Sequence, residues 1–64
     1  MKVNVKLKAL LLEKGLTQRE LAFQTKIDEG RLSRIIRGYE RPTREMRWEI
    51  ADFLGVSERE IFAR

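Results

Sequence analysis

One stretch of the chain carries helix-capping signals so closely spaced that one helix must end and another begin within a few residues. Thr17 and Glu20 have the spacing of a capping box, in which the threonine side chain accepts from the glutamate amide and the glutamate reaches back. Asp28 is a strong N-cap residue, and Gly38 is suited to end the helix that follows. We therefore predict two short helices joined by a tight turn, a helix-turn-helix over residues 17–37.

Similar signals divide the rest of the chain into three further helices. Asn4, Thr43 and Ser57, the last opening a second capping box, are suited to begin helices, and Gly15 and Gly55 to end them. Apolar residues recur at three- and four-residue spacing within each segment, which is typical of amphipathic helices. The sequence thus predicts an all-α fold of five helices, the last of which bears Ile61 and Phe62. The apolar positions of the other four are Leu7, Leu10, Leu11, Leu21, Ala22, Leu32, Ile35, Ile36, Met46, Ile50, Ala51, Phe53 and Leu54.

Size and composition limit the kinds of function that the chain can have. Its 64 residues are enough for one domain, 1–64. The absence of cysteine and histidine excludes disulfides, the usual zinc sites and both residue types as catalytic groups. With no nucleophile–base set and no glycine-rich phosphate loop either, we expect no enzymatic activity, no metal and no cofactor.

Charge and hydropathy point to a polyanionic partner inside the cell. The net charge is +4, which favours such partners. The longest apolar run, residues 9–12, is far too short to span a membrane, so we expect no membrane partner. The expected location is the cytoplasm, in association with the nucleoid.

The second helix of the predicted motif carries a row of arginines, Arg31, Arg34 and Arg37. A recognition helix enters the major groove of DNA with its N-terminal residues against the base edges. Arginine forks suit the O6 and N7 acceptors of guanine, and glutamate can accept from the cytosine amino group. We therefore predict binding to double-stranded DNA, with Glu29, Gly30, Arg31 and Arg34 in contact with bases.

A second set of residues surrounds the loop after this helix and is expected to follow the sugar-phosphate backbone: Arg37, Tyr39, Arg41 and Arg44.

A plainer interpretation of these residues, without DNA, stays open. The arginine row can be a solvated face paired locally with Glu29 or Ser33. Glu29 can simply complement the helix dipole. Arg44 and Arg47 can pair with acidic neighbours, Glu40 or Glu45, instead of DNA.

Three blocks of sequence resemble one known family. These are LTQRELA at residues 16–22, IDEGRLSRI at 27–35 and IADFLGV at 50–56, together with Gly38 and Pro42. They resemble the Cro/repressor-type (Xre-like) helix-turn-helix family over residues 5–62. The resemblance implies a compact five-helix, lambda-repressor-like domain of a bacterial or phage transcriptional regulator, with repression favoured. It also implies a phosphate contact for Gln18 and a homodimer, at least on a two-fold DNA operator.

The chain departs from its family's pattern at two places. Many relatives have glycine in the turn where this chain has Lys26, so either Lys26 is left-handed, at a cost of about 1 kcal/mol, or the turn is reshaped. Many relatives also pair an arginine with a glutamate at the positions of Leu11 and Ile36. Because both are apolar here, we expect a hydrophobic contact in place of a buried ion pair.

Other functions and partners stay open from the sequence. An antitoxin that binds a protein toxin and regulates its own operon is the alternative to a dedicated regulator, and the chain can also be a module of a longer protein. For a homodimer, we expect contacts around the fifth helix and the end of the fourth. The candidate residues for that second surface are Phe23, Trp48, Ile61 and Phe62.

Overall fold

The order and bounds of the helices follow the capping signals. The computed structural model describes residues 3–62, so both ends of the predicted domain 1–64 lie outside the described residues. These residues form α1 (Val5–Lys14), α2 (Gln18–Thr25), α3 (Glu29–Arg37), α4 (Arg44–Leu54) and α5 (Glu58–Phe62). The prediction of an all-α, five-helix fold is therefore confirmed. None of the described helices is long and apolar enough to cross a membrane.

Side-chain caps begin the first four helices as predicted. Each cap accepts a hydrogen bond of 2.9–3.1 Å from the amide three residues later, at Asn4, Thr17, Asp28 and Thr43. The predicted capping box of α2 is complete. At α5 only half of the second box forms: the Ser57 amide donates to the Glu60 carboxylate at 2.8 Å, but the Glu60 amide donates to the Ser57 backbone carbonyl.

The turn between α2 and α3 contains Lys26 in the left-handed conformation, which is the strained one of the two alternatives expected from the sequence. Lys26 has φ 60° and ψ 31°, and its amide donates to the carbonyl of Ala22. Among the described residues it is the one non-glycine residue with positive φ. A left-handed residue with a Cβ costs about 1–2 kcal/mol, so this turn stores some strain at the centre of the motif.

One hydrophobic cluster holds the helices together, and α3 is part of it. Leu11 of α1 and Ile36 of α3 both belong to this cluster and are almost fully buried, which confirms that apolar packing occupies these positions. Leu10, Met46 and Phe62 are only half-buried. Phe53, one of the apolar positions predicted for α4, is 41% exposed. Helix α4 turns Ile50, Ala51 and Leu54 inward, and position 53 falls at the edge of that face.

The start of α1 is joined to the end of α3. The backbone amide of Asn4 donates to the carbonyl of Ile36 at 2.7 Å. This bond satisfies one of the carbonyls left unpaired at a helix C-terminus. Together with the buried face of α3, it fixes the direction in which α3 presents its opposite face.

Candidate nucleic-acid interface

Helix α3 has one buried face and one exposed face. Leu32, Ile35 and Ile36 are buried. The exposed residues include all of those predicted to contact bases, and Arg37 as well: Glu29, Gly30, Arg31, Arg34 and Arg37. The arginine row therefore lies on the solvent side of a helix whose other side is anchored in the core.

A carboxylate from the following loop binds two of these arginines. Glu40 Oε2 accepts from Nε of Arg31 in a short ion pair, and Glu40 Oε1 lies 3.1 Å from Nε of Arg34. The plainer sequence interpretation was thus partly right, because the row does form local ion pairs. Its predicted partners were wrong: the acid is Glu40 and not Glu29, and Ser33 accepts no hydrogen bond from these guanidinium groups in the described structure.

The end of α3 explains how Glu40 reaches back along the helix. Gly38 adopts the left-handed conformation at φ 86°, which reverses the chain direction. The amides of Tyr39 and Glu40 then both donate to the carbonyl of Arg34, at 2.8 and 3.3 Å. Residues that follow this type of helix end return beside the last turn, so the Glu40 side chain extends over the exposed face of α3.

The two guanidinium groups favour the ionised form of Glu40. Hydrogen bonds from Arg31 and then Arg34 lower the pKa of the Glu40 carboxyl below its ordinary value. A charged form that accepts hydrogen bonds from cations is favoured over the neutral form. The site at neutral pH is therefore two positive charges around one negative charge.

Gly30 leaves the first turn of α3 open. A Cβ at this position would lie 3.2 Å from Oδ2 of Asp28, the helix cap, and 3.7 Å from Nη1 of Arg34. The absence of a side chain thus keeps the cap undisturbed and exposes the backbone beside the arginine. Gly30 therefore lies on the accessible edge of the helix.

The residues predicted to contact phosphates occupy two places. The Arg37 guanidinium carbon lies 5.4 Å from the ring centroid of Tyr39, within cation–π range, and both residues are exposed. Arg41 and Arg44 are exposed beyond them in chain order. Gln18, half-buried at the N-terminus of α2, makes no hydrogen bond to any of these residues in the described structure.

Arg47 supports the far end of the loop. Its Nη1 donates to the carbonyl of Pro42 at 3.2 Å, and its Nε lies 3.4 Å from Oε1 of Glu58. The predicted partners of Arg47, Glu40 and Glu45, were wrong, because the packing of α4 against α5 brings Glu58 close. Arg47 thus helps to fix the loop that carries Glu40.

Glu40 is the residue that sequence reasoning missed as part of the site. It is six residues from Arg34 and nine from Arg31. Helix periodicity predicts contacts only between side chains three or four residues apart. The signal that could have found it is Gly38, since a left-handed glycine at a helix end returns the chain along the helix.

Several residues considered for a second surface are exposed. Phe23 is 79% and Trp48 58% exposed, which agrees with their assignment to the surface, and Phe62 is half-buried. Ile61 was wrongly included, because it is 4% exposed and belongs to the core cluster. Phe23 and Phe53 line one groove together with Leu16.

Comparison with known proteins identifies one similarity that spans most of the chain. Residues 7–61 match the sequence profile of the helix-turn-helix family. Neither curated proteins nor solved structures gave a significant match. Within residues 3–62, no three His, Cys, Asp or Glu side chains come together as metal ligands.

Proposed function

This chain belongs to the Xre/Cro-like helix-turn-helix family of DNA-binding transcription regulators, and on that premise we propose that it binds a specific double-stranded operator with α3 in the major groove. The supporting observation is the division of α3 into a buried apolar face and an exposed arginine face. A rigidly anchored helix can hold its N-terminal side chains against base edges.

The first turn and a half of α3 supplies the proposed base contacts. The Nη edges of Arg31 and Arg34 would donate to O6 and N7 of guanine, while Glu29 would accept from a cytosine amino group. Gly30 would let the helix backbone approach the bases, since no side chain stands between them.

Backbone contacts would position this helix without reading sequence. Gln18 and the free amides at the N-terminus of α2 would meet one phosphate. The loop and the start of α4 would meet others through Arg37, Tyr39, Arg41 and Arg44, all of which are exposed. Such binding would take place at the nucleoid.

We further propose that the protein binds DNA as a homodimer and represses transcription by occupying its operator. The partly exposed Phe62 of α5 and the exposed Phe53 near the end of α4 support a contact in this region. Two-fold symmetry would separate the half-sites by one helical turn, about 34 Å. Sedimentation velocity with and without a two-fold duplex tests this, and a monomer that occupies a single half-site would contradict it.

Selection of bound duplexes from a random DNA pool tests the reading of sequence. Arg34→Ala should lose preference at one or two base pairs and about 1–3 kcal/mol of affinity for the selected duplex. Arg41→Ala should weaken binding to all duplexes almost equally. If the two variants behave alike, the assignment of α3 to base reading is wrong.

An antitoxin is the second candidate function. It is favoured by the groove that Phe23 and Phe53 line, which exposes aromatic surface and includes no residue of α3. Such surface is characteristic of contacts with another protein. Co-purification of a small protein in equal amounts from the native source would support this candidate, and its loss in a Phe23→Ser variant would locate the contact.

A further inference from the structure

We propose that Glu40 is a positioning residue that sets how well the protein discriminates between DNA sequences, an inference that rests on the proposed function of α3. Its carboxylate binds two of the proposed base-reading arginines at once. One oxygen accepts from Nε of Arg31, and the other lies 3.1 Å from Nε of Arg34. Glu40 thus acts on DNA through the two arginines that it holds.

The contacts leave the DNA-reading edge of each guanidinium group uncommitted. An arginine has five N–H donors, and its two Nη groups together match the O6 and N7 acceptors of guanine. Glu40 engages Nε of both Arg31 and Arg34, and no acceptor among residues 3–62 hydrogen-bonds their Nη atoms. Glu40 can therefore stay in place while both arginines contact bases.

The backbone that carries this carboxylate is bonded to the helix, and its side chain is less exposed than those of the arginines. The amide of Glu40 donates to the carbonyl of Arg34, and its side chain is 26% exposed, against 44% for Arg31 and 55% for Arg34. Ordering a long side chain on binding opposes association. Arginines that are already oriented lose less freedom when they meet the correct bases, so Glu40 favours specific binding.

The same carboxylate opposes binding that ignores sequence. Nonspecific affinity comes mainly from basic side chains that neutralise phosphates. The cluster has two guanidinium groups and one carboxylate, so its formal charge is +1 and not +2. A register in which Arg31 and Arg34 contact phosphates also brings Glu40 towards phosphate oxygens, which repel it. Contact with uncharged guanine carries no such penalty.

The variant Glu40→Gln tests the inference, because it keeps the size of the side chain and removes its charge. Two probes are used at about 0.1 M salt: the duplex that the wild-type protein selects from a random pool, and the unselected pool itself. We expect the variant to bind the pool about five- to tenfold more tightly, with a log–log salt slope steeper by about one. The ratio of the two affinities should fall about tenfold.

Glu45→Gln is the matched control. It makes the same change in net charge in the first turn of α4, and Glu45 takes part in none of the ion pairs among residues 3–62. The affinity ratio should stay within about twofold, because Glu45 pairs with neither Arg31 nor Arg34 and the loss of its charge therefore affects binding to both probes alike. ¹⁵N relaxation of the Arg31 and Arg34 Nε–H groups should show greater mobility in Glu40→Gln only.

The outcomes separate this inference from the function on which it rests. If the wild-type protein enriches no duplex from the random pool, the proposed function fails, and this inference with it. If the wild type discriminates and Glu40→Gln discriminates equally well, only the role of Glu40 is overturned. A Glu45→Gln variant that loses as much discrimination as Glu40→Gln would show that overall charge, and not the position of Glu40, is responsible.

Discussion

The side-chain amide of Asn4 donates a 2.7 Å hydrogen bond to the carbonyl of Ile61, which lies 57 residues further along the chain. The oxygen of the same side chain, Oδ1, accepts from the backbone amide of Leu7 and caps α1. One residue therefore caps the first helix and also binds the last. An asparagine side chain can do both because its nitrogen donates while its oxygen accepts.

Asn4→Asp should therefore destabilise the protein although aspartate is an equally good cap. The variant keeps the acceptor for Leu7 but loses the donor and sets a carboxylate against the carbonyl of Ile61. We expect a loss of about 1–3 kcal/mol in the free energy of unfolding, measured by urea denaturation. Thr43→Asp is the control, because Thr43 caps α4 alone, and its stability should change little. Equal effects at the two sites would contradict this role of Asn4.

Lys26→Gly should stabilise the protein, since it relieves the left-handed strain in the turn of the motif. The expected gain is up to about 1 kcal/mol, the strain relieved less the greater freedom that glycine gives the unfolded chain. Gln24→Gly, in the exposed part of α2, should instead lose about 1 kcal/mol. Thermal unfolding of both variants measures the difference, and a loss at both positions would argue against strain at Lys26.

Gly30→Ala should separate stability from DNA binding. The new methyl group raises helix propensity by about 0.5–1 kcal/mol. It also crowds Oδ2 of Asp28, which caps the helix, so we expect a net gain in stability smaller than that. Binding to the selected duplex should weaken, because the methyl group stands at the proposed base-facing edge. Ser33→Ala serves as the control and should leave DNA binding unchanged. Unaltered binding by Gly30→Ala would mean that the backbone there does not approach the bases.

The ion pairs of Glu40 should make part of the stability depend on pH. Because Arg31 and Arg34 lower the pKa of the folded carboxyl, the pairs contribute fully above the ordinary pKa of glutamate. Their contribution is lost as the pH falls through the lowered value. NMR titration of the Glu40 carboxyl should show this low pKa.

Replacing both arginines by glutamine should return the pKa of Glu40 towards its ordinary value. Arg59→Gln on α5 is the control for this titration and should leave that pKa unchanged, since Arg59 is exposed and takes part in none of the ion pairs among residues 3–62. A low pKa that persists in the double variant would assign the effect to groups other than Arg31 and Arg34.

The helices and their ends could be predicted because the signals for them are local. A cap such as Thr17 or Asp28 bonds to an amide three residues away, and apolar spacing within one helix defines the face that it buries. The exposed arginine row on α3 follows from the same periodicity, because it occupies the face that Leu32, Ile35 and Ile36 leave free. Family resemblance, carried by blocks of such local signals, pointed to the same five-helix fold.

Contacts between distant parts of the chain could not be predicted in this way. Glu40 reaches Arg31 only because Gly38 reverses the chain, Asn4 reaches Ile61 only after α1 and α5 pack together, and Phe53 is exposed because of the rotation of α4 about its axis. Each depends on how whole helices are placed against one another. The spacing of residues within a helix contains no information about that placement, so the grouping of Arg31, Arg34 and Glu40 is seen only in the folded chain.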